Sequence, residues 1–253
     1  MTLFTGVGVA LITAFDSRLR LDGPATADLA VRLVDSGVRA VVVAGSTGEA
    51  DALDDAERVA LVSSVRGAVP VGVPVIAGTG GAWSGHAVAR TRAALDAGAD
   101  GVLVLSPRRV ADPTRYYEAV ATAAGGRTVI AYHFPAVSAP GIPVDLLRTL
   151  PVDGVKDSTG DVERLLETLA TFPGRTYTGS SALLSAAGPL GAAGAILAAA
   201  NVEPGLAARA FAGDVEAQRD LLGVHLAAGA GGPAAVKHLA AEKYGFPPHS
   251  RLG

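Results

Sequence analysis

The run Ala40-Val41-Val42-Val43-Ala44 is apolar at every position. A strand with one face in water alternates apolar and polar side chains, so this run indicates a strand covered on both faces, as in a parallel sheet. A polar turn, Gly45-Ser46-Thr47-Gly48-Glu49, and a helix-like stretch at residues 55–68 follow it. Strand, turn and helix in this order predict a βα unit.

The same βα pattern recurs along most of the chain. Short apolar runs predict eight strands, at residues 7–12, 40–44, 74–77, 101–105, 128–132, 154–156, 176–178 and 193–197. Apolar residues at helical spacing predict helices between them, at residues 24–36, 55–68, 84–97, 113–124, 144–150, 161–171 and 181–187. This alternation predicts a closed (β/α)8 barrel, the TIM barrel, although the pattern alone leaves an open doubly wound sheet as the alternative.

Signals at the helix ends support this assignment. Asp54 followed by Glu57 has the spacing of a capping box at the start of a helix. Gly37 and Gly98 each follow a predicted helix at the position where a left-handed backbone conformation ends it.

The length of 253 residues fits one barrel domain spanning residues 1–253. After the eighth predicted strand the chain continues with helix-like stretches at residues 204–213, 214–228 and 233–244. No composition shift or Ser/Gly-rich linker separates them from the barrel. We therefore expect the barrel in residues 1–200 and a C-terminal helical extension of the same domain in residues 201–253.

Composition and charge exclude several classes of function. The formal net charge is -3, and no run of like charges suits a phosphate backbone or an anionic membrane surface. Nucleic acid is therefore not an expected partner. A membrane is not expected either, because the apolar stretches are far shorter than the ~20 residues of a spanning helix. The chain has no cysteine, so disulfides and thiolate metal sites are impossible. A basic leader is missing before residues 6–13, and the cytoplasm is the expected compartment.

Lys156 is the candidate catalytic residue. It ends an apolar strand within Gly154-Val155-Lys156-Asp157-Ser158-Thr159-Gly160, and the working face of such a barrel is the C-terminal end of its strands. Amine catalysis needs a neutral lysine, which apolar walls favour by penalising the charged form. The alternative is a solvated lysine paired with Asp157, the commoner situation for a lysine at a strand end.

Two other strand ends carry candidate polar groups. Ser46 and Thr47 offer hydroxyls and backbone N–H groups in a glycine-flanked loop, which suits a carboxylate but is also ordinary turn chemistry. Tyr132 ends the fifth strand, where its phenol can relay a proton or simply pack. His133 follows it, so in a regular strand it points the other way and is expected to be structural.

Four segments of the chain form a combined pattern. They are Gly45-Ser46-Thr47-Gly48-Glu49, Tyr132-His133-Phe134-Pro135, Gly154-Val155-Lys156-Asp157-Ser158-Thr159-Gly160, and Gly194-Ala195-Ile196 with Ala200-Asn201-Val202-Glu203-Pro204. In their order and separations they resemble the dihydrodipicolinate synthase and N-acetylneuraminate lyase family, and the similarity extends from about Gly6 to the helix that contains Lys237.

The resemblance implies a (β/α)8 barrel with added C-terminal helices, assembled as a homotetramer or a homodimer. It implies a lyase or aldolase in which Lys156 forms a Schiff base with pyruvate or another 2-oxo acid, Tyr132 shuttles protons, and an aldehyde is the second substrate. No metal or organic cofactor is expected, because the protonated imine is itself the electron sink. It places Ser46 and Thr47 at the carboxylate, and at the substrate end it places Ser158, Gly179, Ser180 and Ser181.

The chain departs from the family pattern at three places. Pro107-Arg108-Arg109 stands where members often carry a tyrosine pair, and His133 stands where asparagine is usual. Val137 stands where the synthases place the arginine that grips the aldehyde's carboxylate. These differences favour the lyase branch, although Arg108 or Arg109 could reach this active site or a neighbouring subunit's.

Three alternatives stay open at this point. The first is 4-hydroxy-tetrahydrodipicolinate synthase, which joins pyruvate to aspartate semialdehyde. The second is a non-catalytic barrel that binds a 2-oxo acid, since fold does not fix function. The third, a phosphate-binding barrel using Gly191 and Gly194, is weaker, because those glycines lead into the eighth strand instead of following it.

Overall fold

Eight parallel strands close into a barrel in the order of the sequence, which confirms the predicted (β/α)8 fold and excludes the open sheet. The computed structural model describes residues 4–252. The strands are β1 (Gly6–Ala10), β2 (Val41–Val43), β3 (Val75–Gly78), β4 (Gly101–Leu105), β5 (Thr128–His133), β6 (Gly154–Asp157), β7 (Arg175–Thr178) and β8 (Gly194–Leu197). β1 pairs with both β2 and β8, so the barrel is closed.

Helices follow the strands and cover the outside of the barrel. They are α1 (Gly23–Asp35), α2 (Asp55–Ala68), α3 (Ser84–Asp96), α4 (Thr114–Ala124), α5 (Val144–Leu147), α6 (Val162–Thr171), α7 (Leu184–Ala187), α8 (Pro204–Phe211), α9 (Val215–Asp220) and α10 (Leu222–Tyr244). None of the described helices is long and apolar enough to span a membrane.

The predicted helix ends are confirmed where local chemistry determines them. The Asp54 carboxylate accepts from the Glu57 backbone N–H at 2.7 Å, and the Glu57 carboxylate accepts from the Asp54 backbone N–H at 3.2 Å, so the capping box forms. Gly37 and Gly98 have φ values of 96° and 100°, the left-handed conformation expected after a helix.

Three helix predictions need correction. The helix predicted at residues 181–187 is α-helical only from Leu184, because residues 181–183 form a 3-10 helix. The helix predicted at residues 144–150 ends at Leu147, because the following N–H groups of Thr149 and Leu150 bond three residues back and tighten the chain into turns. The single helix predicted at residues 214–228 is instead divided between α9 and α10. α10 is interrupted at Gly232, whose φ of 55° and ψ of -144° are not helical.

An aromatic pair fills the barrel lumen at the end opposite the C-terminal ends of the strands. The rings of Phe4 and Tyr177 stack 4.7 Å apart, and the Tyr177 hydroxyl donates to the Phe4 carbonyl at 3.0 Å. The two strands beside β7 carry glycine next to the Tyr177 ring. A Cβ on Gly154 would lie 3.4 Å from that ring, and a Cβ on Gly194 would lie 3.2 Å from it. This end of the lumen is closed, so the open space lies at the C-terminal ends of the strands.

The first helix after β8 packs against the barrel core. Ala207 and Ala210 of α8 are fully buried in the core cluster that also contains Val7 and Val9 of β1. α8 thus takes the place of the eighth barrel helix, although it lies beyond the predicted boundary at residue 201. That boundary stays a prediction.

Candidate active site

Lys156 points into the open mouth of the barrel, and the next residue of the strand faces the opposite side of the sheet. Its neighbour Asp157 faces outward, where its Oδ2 bonds Arg164 Nε of α6 at 2.5 Å and its Oδ1 accepts from the Thr159 backbone N–H at 2.8 Å. The interpretation of Lys156 as a solvated lysine paired with Asp157 is therefore wrong. The carboxylate instead fixes the turn that follows the lysine.

Lys156 and Tyr132 lie side by side on adjacent strands. They are directly paired in the β5–β6 register, and Lys156 Nζ lies 4.3 Å from the centroid of the Tyr132 ring. Both residues are about 4% exposed. The strand pairing thus brings the predicted amine and the predicted proton carrier together.

Lys156 differs from the other two lysines of the chain, Lys237 and Lys243, in having no acidic partner. Lys237 is paired with Glu49, and Lys243 Nζ lies 2.6 Å from a carboxylate oxygen of Glu203. Lys156 forms no ion pair with any carboxylate of residues 4–252. Its amine is thus the one lysine nitrogen available to a ligand in this part of the chain.

The turn after β7 is shaped to leave room for the lysine. A Cβ on Gly179 would lie 1.9 Å from Ser158 Oγ and 3.0 Å from Lys156 Cε, so a side chain there requires its neighbours to move. The Ser158 hydroxyl in turn lies 3.4 Å from the Tyr132 hydroxyl. Two residues predicted at the substrate end, Ser158 and Gly179, therefore lie beside Tyr132 and Lys156.

The loop predicted to hold a carboxylate presents unused hydrogen-bond donors. Ser46 and Thr47 open a short 3-10 helix, Ser46–Gly48, at the end of β2. Within residues 4–252, neither their backbone N–H groups nor their hydroxyls have a hydrogen-bond partner, whereas the N–H groups of the next three residues bond within the loop. Converging backbone and hydroxyl donors of this kind suit an anion.

Glu49 anchors that loop to the C-terminal part of the chain. No role was assigned to this residue from the sequence. Its side chain is fully buried, bonds Lys237 of α10 and accepts from the backbone N–H groups of Arg251 and Leu252 at 2.8 and 2.9 Å. Burial acts to raise the pKa of Glu49, but the Lys237 ammonium and these N–H groups outweigh it and lower that pKa. The charged carboxylate therefore ties the loop to the end of the chain.

The backbone on both sides of the loop is unusual for non-glycine residues. Ala44 and Glu49 have φ values of 52° and 55°, in the left-handed region. A side chain in this conformation costs about 1–2 kcal/mol. Such strain persists only where surrounding contacts hold it, and here the Glu49 contacts do so.

A cavity of about 730 Å³ joins these groups at the mouth of the barrel. It brings together nine of the ten residues predicted for the site, and Arg109 does not line it. The nine are Ser46, Thr47, Arg108, Tyr132, Lys156, Ser158, Gly179, Ser180 and Ser181. Other charged or ionisable lining residues, which the sequence did not single out, are Asp51, Arg58 and His225.

Arg108 and Arg109 have different surroundings. Arg108 Nε donates to the carbonyl of Val137 at 2.9 Å, and both residues line the cavity. The guanidinium also lies 3.7 Å from Asp51, with both side chains largely exposed. Arg109 donates its backbone N–H to the Ala139 carbonyl at 2.7 Å.

His133 is held outside the cavity. Its Nδ1 accepts from the Ile142 backbone N–H at 2.8 Å, so the imidazole serves as a buried acceptor. Burial, with the Arg164 guanidinium nearby, lowers the pKa of His133 to about 4. This neutral packing role is the structural one predicted for it.

No group of three or more His, Asp or Glu side chains in residues 4–252 is arranged to hold a metal ion. The polar groups around Lys156 are hydroxyls and N–H donors, which suit an organic acid.

A sequence model of the dihydrodipicolinate synthetase family matches residues 3–220. The chain belongs to this family. Its members are pyruvate-dependent lyases of the class I aldolase type, and the chain is accordingly an enzyme that makes or breaks a carbon–carbon bond between a 2-oxo acid and an aldehyde.

Named relatives cover most of the chain. A DapA-like lyase from Halobacterium salinarum is 38% identical over 210 residues, which are 79% of this chain and 69% of that protein. A 4-hydroxy-tetrahydrodipicolinate synthase from Acidithiobacillus ferrooxidans is 35% identical over 242 residues, covering 88% and 82%.

Solved structures of the family share the fold. YagE, a prophage protein of the dihydrodipicolinic acid synthase family from E. coli K12 crystallised with pyruvate, superposes with a TM-score of 0.90 at 28% identity. The match covers 100% of this chain and 94% of that one.

Proposed function

We propose that Lys156 forms a Schiff base with pyruvate and that Tyr132 carries the protons of the reaction. The observation that carries this proposal is the buried pairing of the two side chains, with Lys156 Nζ 4.3 Å from the Tyr132 ring and no carboxylate of residues 4–252 paired with that lysine. A barrel that only binds a 2-oxo acid has no need of such an amine. Ser46 and Thr47 would hold the pyruvate carboxylate.

The proposed cycle starts when Lys156 Nζ attacks C2 of pyruvate, and loss of water leaves a protonated imine. A proton then leaves the methyl carbon, and the electron pair moves toward the nitrogen to give an enamine. The methyl carbon attacks the aldehyde carbon, whose oxygen takes up a proton. Water finally hydrolyses the imine, which releases a 4-hydroxy-2-oxo acid and restores the amine. Cleavage runs through the same steps in reverse.

Borohydride trapping tests the proposal directly. With pyruvate and borohydride, the mass of the chain should increase by one reduced adduct, and peptide mapping should place it on Lys156. Lys237 and Lys243 are internal controls, since each already has a carboxylate partner. An active enzyme with unmodified Lys156 would contradict the mechanism.

We further propose that the enzyme belongs to the lyase branch, with an acceptor other than aspartate semialdehyde. Val137, which lines the cavity, cannot form the charge-assisted pair that a guanidinium makes with a carboxylate. Val137 itself therefore offers a substrate carboxylate no compensation for the water that the carboxylate loses on binding.

The synthase is the second candidate, and the position of Arg108 favours it. Its guanidinium lies against the Val137 carbonyl, so a cation is present at the same edge of the cavity. Comparing kcat/KM for aspartate semialdehyde with neutral and sugar-derived aldehydes decides between the two. Arg108→Ala should reduce any use of aspartate semialdehyde, with Arg109→Ala as the control. A clear wild-type preference for aspartate semialdehyde would overturn the lyase assignment.

We also propose a homotetramer or homodimer in the cytoplasm. The family resemblance supports the assembly, and the absence of cysteine is compatible with a reducing compartment. Light scattering after size-exclusion chromatography measures the assembly, and a monomeric mass at assay concentration would contradict it.

A further inference from the structure

His225 is an ionisable residue of the cavity to which the proposed mechanism gives no role. It lies on α10, whereas the catalytic pair and the carboxylate loop lie on the barrel strands and their turns. The imidazole is half-buried and lines the same cavity as Lys156. The C-terminal helices therefore contribute a polar group to the active site.

The position of His225 is fixed by a hydrogen bond to the turn after β7. Ser181 Oγ lies 2.9 Å from His225 Nδ1. Ser181 is itself held, because Gln218 Nε2 of α9 donates to its carbonyl at 2.8 Å while Gln218 Oε1 accepts from the Ser185 N–H at 3.0 Å. The imidazole is thus oriented by one hydrogen bond, from a serine whose backbone is itself held by α9.

The second ring nitrogen of His225 is left available. Within residues 4–252, Nε2 has no hydrogen-bond partner, and a neutral imidazole offers one donor and one acceptor nitrogen. Gly229 lies one helical turn later on α10 and also lines the cavity, with open space where a Cβ would be. There is room for a ligand group beside the ring.

The charges that line the cavity are unequally distributed. Asp51, Arg58 and Arg108 all come from the β2 and β4 side of the mouth. On the opposite side, from β6 through α10, Lys156 and His225 are the only ionisable lining side chains of the described residues. The other polar side chains there are hydroxyls, those of Ser158, Thr159, Ser180 and Ser181.

We propose that His225, oriented by Ser181, hydrogen-bonds a hydroxyl of the acceptor aldehyde, so that the enzyme acts on hydroxylated aldehydes and the polyhydroxylated 2-oxo acids that they form with pyruvate. This inference rests on the proposed Schiff-base function and names its substrate class. Hydroxyl and imidazole groups recognise a substrate hydroxyl, and a site built this way discriminates against an analogue that lacks it.

Two aldehydes with the same three-carbon skeleton test the proposal. Glyceraldehyde carries two hydroxyls and propionaldehyde carries none, so the ratio of their kcat/KM values with pyruvate reports hydroxyl recognition. The wild type should favour glyceraldehyde. In His225→Leu the ratio should fall about fivefold to tenfold, the loss expected for one neutral hydrogen bond. His225→Gln, which keeps a hydrogen-bonding group, should retain most of the preference.

His238→Leu is the matched control, since His238 is an exposed histidine of the same helix that does not line the cavity. Thermal unfolding of each variant shows whether the fold persists. A wild type that does not favour glyceraldehyde, or an unchanged ratio in a folded His225→Leu, would overturn the proposal. Pyruvate trapping on wild-type Lys156 is measured alongside. If no adduct forms on Lys156, the proposed Schiff-base function is wrong. If the adduct forms but the enzyme shows no preference for glyceraldehyde, only the proposed role of His225 is wrong.

Discussion

Lys237 and Glu49 form an ion pair in which neither side chain is exposed to solvent. Lys237 Nζ also donates to the His249 carbonyl at 2.8 Å, and Glu49 accepts from the Ser250 hydroxyl at 3.0 Å. The pair joins the loop that precedes α2 to the last helix and the segment after it. The loop at residues 45–49 and the C-terminal segment are therefore held together by this pair and its hydrogen bonds.

Lys237→Met should destabilise the fold by about 3–5 kcal/mol, because it leaves the Glu49 carboxylate buried without its cation. The double variant Glu49→Gln/Lys237→Met should recover a large part of this loss, since it contains no unpaired buried charge. Lys243→Met removes a partly exposed pair and should cost under about 1 kcal/mol. Denaturant unfolding measures all three. Equal losses in Lys237→Met and Lys243→Met would contradict the buried pair.

Tyr132→Phe should lower kcat by roughly 10² to 10⁴ while the fold persists, because it removes the proposed proton carrier and keeps the ring. Tyr177→Phe is the matched control. Tyr177 pairs with Lys156 on the other neighbouring strand, but its hydroxyl bonds Phe4 at the closed end of the lumen. It should cost about 1 kcal/mol of stability and leave kcat near the wild-type value. Near-wild-type turnover in Tyr132→Phe would reduce Tyr132 to a packing residue.

Thr47→Val should raise the KM for pyruvate or slow turnover, by about tenfold or more for one lost hydrogen bond to a charged group. The change keeps the shape of the side chain and removes one hydroxyl donor from the loop at residues 45–49. Thr122→Val, on the exposed face of α4, is the control. Steady-state kinetics in pyruvate give both constants. If neither moves in Thr47→Val, the loop does not hold the carboxylate through this hydroxyl.

Gly179→Ala should slow catalysis by roughly 10² while the protein still folds, because the new Cβ displaces Ser158 Oγ and crowds Lys156 Cε. Gly205→Ala on α8 is the control, since nothing lies within 4 Å of a Cβ at that glycine. Rates of adduct formation with pyruvate and borohydride measure the effect on the lysine. An unchanged rate in Gly179→Ala would show that the turn tolerates a side chain.

The buried His133 should make the fold sensitive to mild acid. Its pKa of about 4 lies below the usual value of about 6.5, so between these values the unfolded chain binds a proton that the folded chain does not. Stability from this group is complete above pH 6.5 and falls as the pH drops toward 4. At pH 5 the loss is ~2 kcal/mol.

His133→Asn keeps an acceptor for the Ile142 N–H and does not titrate in this range. The drop in Tm between pH 7.5 and pH 5 should therefore be smaller in this variant than in the wild type. His238→Asn should behave as the wild type, because His238 is exposed. Parallel pH profiles of wild type and His133→Asn would contradict the assignment.

The sequence predicted the parts of the site that local pattern determines. Lys156 and Tyr132 end apolar strands, and strands in a closed parallel barrel present those ends at one face. The direction of Lys156 into the lumen follows from the alternation of strand residues. The sequence did not predict that Lys156 pairs with Tyr132. That pairing depends on the register of β5 against β6, which cannot be read from the lengths of the segments between the strands.

The tertiary structure decided which of two neighbouring arginines enters the cavity. Arg108 and Arg109 are adjacent and chemically equal in the sequence, and only Arg108 lines the cavity. Arg108 donates to Val137, whereas the backbone of Arg109 is held at Ala139 with a φ of 62°. The path of the loop, and not the residue type, made this choice.

By itself the sequence determined the order of the strands and helices and the capping residues Asp54, Gly37 and Gly98, because apolar periodicity and capping act over a few neighbouring residues. Only the tertiary structure brought Lys237 to Glu49 and His225 to Ser181, pairs separated by 188 and 44 positions. Both contacts exist because the C-terminal helices fold back over the mouth of the closed barrel. A buried charge or a ring nitrogen then finds a partner that its own stretch of sequence does not contain.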